Sequence, residues 1–330
     1  MKIAVVGATG LVGREMLTVL AERGFGDHEV IAAASERSIG KQIDFAGRSL
    51  SVVSVADAIA AHPTYAIFSA GAAASRQYAP LFAEVGTTVI DNSSAWRKEP
   101  QIPLVVPEIN IDAVNPDNRI IANPNCSTIQ MVLAISALQR RYGIRRLVIA
   151  TYQSITGTGI KAVRQLEAEE QGLTPAEKAY HYPIHRNLFP HGGDFQPDGY
   201  TTEEQKLIDE TRKIFSDPTI QITATVVRVP VVGGHSEAVN VELRNDYDLD
   251  EVRRLIADTP GVKLYDDPAN NIYPMPILSH HHDEVWVGRL RRDPSQPNSL
   301  NLWVVADNIR KGAATNAIQI MQALIQRNKQ

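Results

Sequence analysis

Short apolar runs alternate with stretches of helical period through the first third of the chain. Val- and Ile-rich runs predict strands over Lys2–Val6, Glu29–Ala34, Tyr65–Ser69, Thr87–Ile90 and Arg119–Ala122, with a helix over Gly10–Arg23. Strands separated by helical stretches build βαβ units and a mostly parallel sheet. Beyond Cys126 the pattern changes. A helical period covers Thr128–Tyr142, and longer, more alternating strands follow over Leu147–Ser154, Ile220–Val229, Glu237–Arg244, Glu284–Arg291 and Leu300–Ala306. These read as one antiparallel or mixed sheet, with helices over Gly159–Gln171, Thr202–Phe215 and Leu249–Asp258 on one face. The last pattern, Arg310–Arg327, is an amphipathic helix with no strand behind it, expected to pack back on the first domain. The stretch Ala179–Gly199, rich in Tyr, His, Pro and Gly, reads as irregular surface backbone or as an interface segment.

Length and composition narrow the picture without redirecting it. A chain of 330 residues exceeds what one hydrophobic core usually serves, so two domains are expected. With 44% apolar and 21% charged residues, it has ample material to bury, which excludes disorder as the main state. The formal net charge of −4 gives no global pull toward nucleic acid or an anionic membrane. No apolar run of membrane-spanning length and no signal-peptide pattern is visible, so a cytoplasmic protein is expected. The single cysteine, Cys126, excludes an internal disulfide and a zinc site of several thiolates, and fits a reducing compartment.

Chemistry first shows at the N-terminus. The strand Lys2–Val6 runs into Gly7-Ala8-Thr9-Gly10-Leu11-Val12-Gly13 and then a helix, a G-x-x-G-x-x-G relative of the dinucleotide fingerprint. Glycines admit a pyrophosphate close to the backbone, and the helix N-terminus offers unpaired N–H groups and a positive dipole end. The second strand ends in Ala33-Ala34-Ser35-Glu36-Arg37-Ser38. No acid stands at its tip for a ribose 2′-hydroxyl, whereas Ser35, Arg37 and Ser38 suit a 2′-phosphate, so NADP is expected over NAD. Glu36 fits either a solvated neighbour or a ribose ligand.

The next two features are a nucleophile and its partner. Asn123-Pro124-Asn125-Cys126-Ser127-Thr128 follows a strand and opens a helix, whose positive end favours a thiolate at Cys126. Arg228-Val229-Pro230-Val231-Val232-Gly233-Gly234-His235 is a strand ending in a turn that presents a histidine. Taken singly, the cysteine fits a buried core position and the histidine a surface one. Together, beside a nicotinamide site, they fit aldehyde oxidation through a thiohemiacetal. The run His280-His281-His282-Asp283 reads as exposed polar loop or strand start rather than a metal site, because adjacent side chains on a strand point to opposite faces.

These residues carry a family resemblance. GATGLVG, ASERS, DNSSAWR, NPNCSTIQ, YQSITGTG, EEQK, RVPVVGGH and DNIRKGAA occur in the order expected of aspartate-semialdehyde dehydrogenases, from residue 4 to about residue 314. The chain departs from the pattern at Thr156 and Thr158, in a stretch usually written S-G-A-G, and at Glu36. The resemblance implies an α/β fold: a Rossmann-type NADP-binding domain of residues 1–127 and 310–330, and an α+β catalytic and dimerisation domain of residues 128–309 with a mixed or antiparallel sheet. It also implies a homodimer serving the biosynthesis of lysine, threonine, methionine and isoleucine.

In the resemblance, Cys126 attacks the carbonyl, and His235 takes and returns protons as general base and acid. Gln153 holds the substrate or acyl intermediate, Arg228 its α-carboxylate and Glu203 its α-ammonium group. Arg97, Lys206 and Asn125 face inorganic phosphate. Gly7, Thr9, Gly10, Leu11, Val12, Gly13, Ser35, Arg37, Ser38, Thr156, Gly157 and Asn308 contact NADP. Glu203 and Lys206, three apart on a helix, fit a surface ion pair equally well. The rivals are another acyl-phosphate reductase such as N-acetyl-glutamyl-phosphate reductase, an enzyme like glyceraldehyde-phosphate dehydrogenase, and a non-catalytic NADP-binding protein. The last has no reason to keep Cys126, Gln153, Arg228 and His235 together.

Overall fold

A computed structural model describes residues 1–328. The chain divides into two compact units, Met1–Asn125 with the segment from Ala313 onward, and Cys126–Gly312. Cys126, Ser127 and residues 310–312 therefore belong to the second unit, not to the first as the sequence pattern suggests.

The first unit is built on β1 (Lys2–Val6), α1 (Leu11–Leu20), β2 (Glu29–Ala33), a hairpin of β3 (Gln42–Phe45) and β4 (Arg48–Ser51), α2 (Val55–Ala60), β5 (Tyr65–Phe68), α3 (Ala72–Glu84), β6 (Thr88–Asp91), α4 (Pro107–Asn110) and β7 (Ile120–Ala122). Its main sheet is wholly parallel in the order β2-β1-β5-β6-β7. Both faces are covered, which is why these strands read as continuous apolar runs. The alternation of β1 sorts its residues between two cores: Ile3 and Val5 pack with Met16, Leu17 and Leu20 of α1, and Ala4 and Val6 with Ala79 and Phe82 of α3.

The second unit begins with α5 (Cys126–Tyr142), then β8 (Ile144–Ser154), α6 (Ile160–Glu170), α7 (Thr202–Phe215), β9 (Gln221–Val229), β10 (His235–Leu243), α8 (Leu249–Ala257), β11 (Val262–Leu264), α9 (Pro276–Ser279), β12 (Val285–Arg292) and β13 (Ser299–Ala306). Its sheet, β11-β12-β13-β10-β8-β9, is mixed: β8 and β9 run parallel, as do β11 and β12, and the other pairs are antiparallel. Helix α5 packs across β8, β10, β12 and β13 and against α7 and α8. Nearly every residue from Ser127 to Leu138 is consequently buried.

After Gly312 the chain returns to the first unit as α10 (Thr315–Arg327), which packs on α1, β5 and β6 through Ala317, Ile318 and Met321. The sequence pattern starts this helix five residues early, at Arg310; residues 310–314 form one wider helical turn. The hairpin β3–β4 and the three-residue β11 carry too short a pattern to be read beforehand.

The excursion Ala179–Gly199 has irregular backbone, as expected, but it is tied down. The Gln165 Oε1 atom accepts the N–H groups of Ala179 and Tyr180, and Glu169 Oε2 accepts those of Ile184 and His185. Ile184 is buried in a small cluster with Ile155, Ala162 and Leu166.

The glycine turn after β1 is set by close approach. Gly7 has a φ of +92°, and a Cβ there would overlap the Ser69 carbonyl; a Cβ on Gly13 would overlap the Gly7 carbonyl. Gly10 has 3.4 Å of clearance to its nearest neighbour. Substituting Gly13→Ala is therefore expected to cost about 1–3 kcal/mol through forced overpacking, read as a lower midpoint in urea unfolding, while Gly10→Ala stays within about 1 kcal/mol of the parent.

Candidate active site

In the first unit, the C-terminal ends of β1 and β2 open on a cavity of about 480 Å³ lined by Gly7, Ala34, Ser35, Glu36, Arg37, Ser54, Ala70 and Tyr78, among others. Helix α1 has no side chain capping its N-terminus at Gly10, so the backbone N–H groups of its first turn, at Leu11 and Val12, suit an anion, while the Gly10 N–H donates to the Gly7 carbonyl at 3.0 Å. Ser35, Glu36 and Arg37 are exposed around the cavity. Ser38 is instead buried, with its hydroxyl accepting from Lys41 at 3.4 Å. Arg97 and Asn125 also belong to this unit and are buried. Arg97 is held beyond the end of β6, where its Nη2 donates to the Asn92 carbonyl at 2.8 Å. Asn123 donates to Asn92 Oδ1 and accepts from Asn316, linking the β6 and β7 ends to the start of α10.

In the second unit, topology gathers the remaining candidates at one end of the sheet. Strands β8 and β9 finish there, antiparallel β10 starts there, and β13 finishes there with Ala306 paired to His235. Gln153 on β8 is in register with Arg228 on β9. The Gln153 amide donates to Ser127 Oγ at 2.9 Å, which fixes it beside the first turn of α5, whose first residue is Cys126. Arg228 donates through Nη1 to the Ser154 carbonyl at 2.6 Å, and the Ser154 N–H donates to His235 Nδ1 at 2.9 Å. Gly157 closes over this pair: a Cβ there would sit 3.1 Å from Arg228 Nη1 and 3.3 Å from His235 Nε2. Thr156 donates to Asn308 Oδ1 at 2.9 Å. Gly312 packs on Cys126, with room for no Cβ without contact at 2.8 Å.

His235 is buried, not a surface residue after a hairpin. Burial and then the nearby Arg228 guanidinium push its pKa down to about 3, with the Glu203 carboxylate pulling weakly the other way. The imidazole is therefore neutral at ordinary pH. Glu203 and Lys206 form an ion pair at 2.7 Å on the first turns of α7. That helix start is set by its neighbour Glu204. Thr201 Oγ1 accepts the Glu204 N–H while Glu204 Oε2 accepts the Thr201 N–H, and Glu204 Oε1 accepts the Val226 N–H of β9.

The sequence pattern holds a signal for Glu204, the T-x-x-E spacing of a capping box, which went unread. Another unread signal is Glu237, an acid at an inward position two residues past His235. It is fully buried, its carboxyl oxygens meet no partner at strict hydrogen-bond geometry among the described residues, and burial raises its pKa well above the ordinary carboxylate range, with Gln130 acting the other way. Gln130 of α5 stands beside it and donates to the His235 carbonyl.

The histidine run is loop, as expected, but the strand geometry used to separate its side chains does not apply. His280–His282 lies in a turn before β12, not on a strand, and His281 has a φ of +64°. His280 and His281 both turn toward Asp307, their ligand atoms within 4.8 Å of one another. The Asp307 oxygens accept the N–H groups of His281, Ile309 and Arg310 and face His280 Nδ1 at 3.1 Å. This carboxylate thus shapes the segment that carries Asn308.

The chain matches the family described as semialdehyde dehydrogenase, NAD binding domain, over residues 2–116, and that described as semialdehyde dehydrogenase, dimerisation domain, over residues 135–311. It is 46% identical over 336 aligned positions to an aspartate-semialdehyde dehydrogenase of Aquifex aeolicus, covering 98% of both chains. This chain belongs to the aspartate-semialdehyde dehydrogenase family. A Bacillus subtilis aspartate-semialdehyde dehydrogenase is 41% identical, covering 98% of this chain and 96% of that one. Among solved structures, aspartate semialdehyde dehydrogenase II of Vibrio cholerae, complexed with ASA, superposes with a TM-score of 0.94 at 42% identity over 98% of each chain. The Candida albicans enzyme with NADP, at 22% identity and a TM-score of 0.77 over 99% of each chain, shares the fold.

In this family member the buried Glu237 opposes stability as pH rises. Its carboxyl stays protonated in the folded state after the unfolded chain has ionised, so stability present below about pH 4.5 is progressively lost above it. Each tenfold difference in proton affinity is worth about 1.4 kcal/mol. Glu237→Gln is expected to melt higher than the parent at pH 7.5, with the two melting curves converging toward pH 4.5. A lower melting point for the variant at pH 7.5 would show instead that the ionised carboxylate is stabilising.

Proposed function

We propose that this chain is an NADP-dependent, phosphorylating aspartate-semialdehyde dehydrogenase. It interconverts L-4-aspartyl phosphate and L-aspartate 4-semialdehyde, with release or uptake of inorganic phosphate. The observation that carries the reading is the gathering of Cys126, Gln153, Arg228, Glu203 and His235 in the second unit by three strand ends and two helix starts. The family relationship selects aspartate semialdehyde among the substrates that such a set would serve. No comparable observation favours the N-acetylated substrate or a non-catalytic role.

The chain's groups divide the work as follows. Cys126 stands at the positive end of α5, which favours the thiolate. The sulfur adds to the acyl carbon of the acyl phosphate, and phosphate leaves with the bonding pair and takes one proton from solvent. Gln153, pinned through Ser127, positions the resulting thioester. The Arg228 fork suits the α-carboxylate, because a planar guanidinium binds a carboxylate through two parallel hydrogen bonds. Glu203 suits the α-ammonium group, and its partner Lys206 supplies a cation for phosphate; Arg97 and Asn125 of the first unit are phosphate candidates by the family relationship alone. Restoring the carbonyl of the reduced adduct breaks the C–S bond and returns the thiolate.

The cofactor reading rests on the first unit. The uncapped α1 terminus fits a pyrophosphate, and Gly7 and Gly13 let the turn that presents it close on the Ser69 backbone and on itself. Ser35 and Arg37 suit a 2′-phosphate, while Glu36 stands on the same rim. Thr156, Gly157 and Asn308 are the second unit's candidates for the nicotinamide end. When bound, NADPH supplies the hydride that reduces the thioester.

Assembly follows from the sheet face turned away from α5. There Tyr152 and Trp303 pack with ring centroids 5.5 Å apart, next to a groove lined by Ala238, Tyr273, Met275 and Trp303. This apolar surface and the dimerisation-domain match support a homodimer. Among the described residues no helix is long and apolar enough to cross a membrane.

Purified protein given NADP and L-aspartate semialdehyde is expected to form NADPH only when phosphate or arsenate is added, and to prefer NADP over NAD. Turnover without either oxyanion, or none with both, would overturn the reading. Cys126→Ser should lose at least about 10³-fold in kcat with NADP affinity unchanged. Arg228→Lys should raise KM for the amino-acid substrate by about 10-fold or more, through loss of the bidentate fork; an unaltered KM would remove Arg228 from the carboxylate site.

A further inference from the structure

An extended backbone would send consecutive histidines to opposite faces, but the turn before β12 brings two of them to one side. His281 takes a left-handed φ of +64°, which sets its side chain beside that of His280. The two imidazoles lie face to face, with ring centroids 3.7 Å apart and planes 30° from parallel. His280 is backed by Gly233, where a Cβ would overlap the ring at Cγ and Nδ1. A nitrogen of each ring and a carboxylate oxygen of Asp307 all lie within 4.8 Å of one another. Asp307 is buried, His280 half-buried and His281 exposed, so the group is anchored in the protein and open on its outer side. Asp307 Oδ1 accepts the N–H groups of Ile309 and Arg310, and Oδ2 accepts that of His281. A carboxylate oxygen has two lone pairs, so one on Oδ2 is left for His280 Nδ1, which faces it at 3.1 Å. The neighbouring Arg310 guanidinium is committed to Asp283 at 2.9 Å. With neutral imidazoles the cluster therefore carries one negative charge.

We propose that His280, His281 and Asp307 bind a divalent transition-metal cation of the zinc, cobalt and nickel class, with water completing its coordination. The ion takes the place of the proton between His280 Nδ1 and Asp307 Oδ2, and the ring then carries its proton on Nε2. The spacing there fits two ligands of one ion: bonds of about 2.0–2.1 Å at tetrahedral angles put neighbouring ligand atoms about 3.3 Å apart. The His281 nitrogen closes the remaining distance by rotation of an exposed side chain. The donor set selects the class of ion. Imidazole nitrogens suit zinc, cobalt and nickel, whereas magnesium and calcium take oxygen ligands. Three protein ligands with an outer position open to water describe an exchangeable site, not a closed structural one. The ion ties the turn before β12 to the segment after β13, whose next residue is Asn308. The site stands apart from the reaction proposed above, because none of its ligands belongs to that chemistry.

Untagged protein, freed of metal with a chelator, is titrated with Co²⁺ and followed by its visible d–d absorption, with Zn²⁺ then added in competition. His281→Ala and His280→Ala each remove one ligand. His282→Ala removes a neighbouring exposed histidine that faces Glu284 and lies outside the cluster, so it serves as the control. Far-ultraviolet circular dichroism confirms that each variant is folded, and His281 is exposed enough for its variant to keep the fold. The expected result is one equivalent of Co²⁺ per parent chain, displaced by Zn²⁺ and not by Mg²⁺. Affinity should fall at least about 10-fold in His281→Ala and His280→Ala and stay within about 2-fold of the parent in His282→Ala, since even groups outside the first coordination sphere cost that much when lost. No uptake, equal affinity in His281→Ala and the parent, or an equal loss in His282→Ala would overturn the proposal. A thiolate-to-cobalt charge-transfer band growing with that single equivalent would also overturn it, by placing the ion on Cys126. None of these readouts uses turnover, so failure of the metal site and failure of the dehydrogenase reading are separate outcomes.

Discussion

The peptide group of Ser154 holds the second unit's chemistry together. Its N–H orients His235, and its C=O receives Arg228. Both bonds exist because β8 lies between β9 and β10, so the last residue of the central strand reaches a side chain on each neighbour. A slip of one residue in either pairing would turn Arg228 or His235 to the other face of the sheet. The register of long, largely buried strands thus does what side-chain contacts alone would do less rigidly. The outer side of Arg228 is fixed as well: its N–H and C=O pair with Phe189, so the excursion after α6 adds a one-residue bridge to the edge of β9. The clamps from Gln165 and Glu169 hold that excursion and, through it, the backbone of Arg228.

What could be read in advance follows from how locally each feature is encoded. The parallel sheet of the first unit and the mixed sheet of the second were legible because their strands carry long apolar runs or clear alternation. Cys126, Gln153, Arg228 and His235 were legible as motif residues, and the structure brings these four into one unit. Their supports were not legible. Ser127 is an ordinary hydroxyl until Gln153 is seen to donate to it. Gly312 matters only because Cys126 lies against it. Ser38 sits in the same turn as Ser35 and Arg37, and nothing local says that its hydroxyl faces Lys41 instead of the cavity rim. The first two facts arise from pairings across long sequence separations, whereas spacing reports only neighbours on one element.

Burial makes these side chains useful and also costs stability. His235 and Glu237 occupy inward positions of the same strand, two residues apart, under α5. Desolvation acts on them in opposite directions, driving the imidazole to shed its proton and the carboxyl to keep one, so both are uncharged. A neutral pair is the least costly way to keep two titratable groups in an apolar layer. For His235 the neutral state is also the one in which Nδ1 accepts the Ser154 N–H. Glu237 brings no equivalent return at the site, and its carboxyl remains a burden on the folded state at neutral pH.

The two departures from the family pattern in the loop after β8 show how far this arrangement tolerates change. Thr156 and Thr158 stand where Ser and Ala are usual; Thr156 keeps a hydroxyl, Thr158 adds one, and each has a partner. Thr156 Oγ1 bonds Ser154 Oγ at 2.6 Å and donates to Asn308, tying the end of β8 to the segment after β13. Thr158 Oγ1 accepts from the Tyr180 hydroxyl at 2.8 Å, fastening the excursion to the same loop. Neither bond alters the Ser154 peptide, because its contacts to His235 and Arg228 are made by backbone atoms that every residue but proline keeps. Gly157, between them, has less freedom: a Cβ there would crowd Arg228 at 3.1 Å and His235 at 3.3 Å. The loop can therefore vary on either side of Gly157, while the glycine itself is fixed by the space that the two side chains leave.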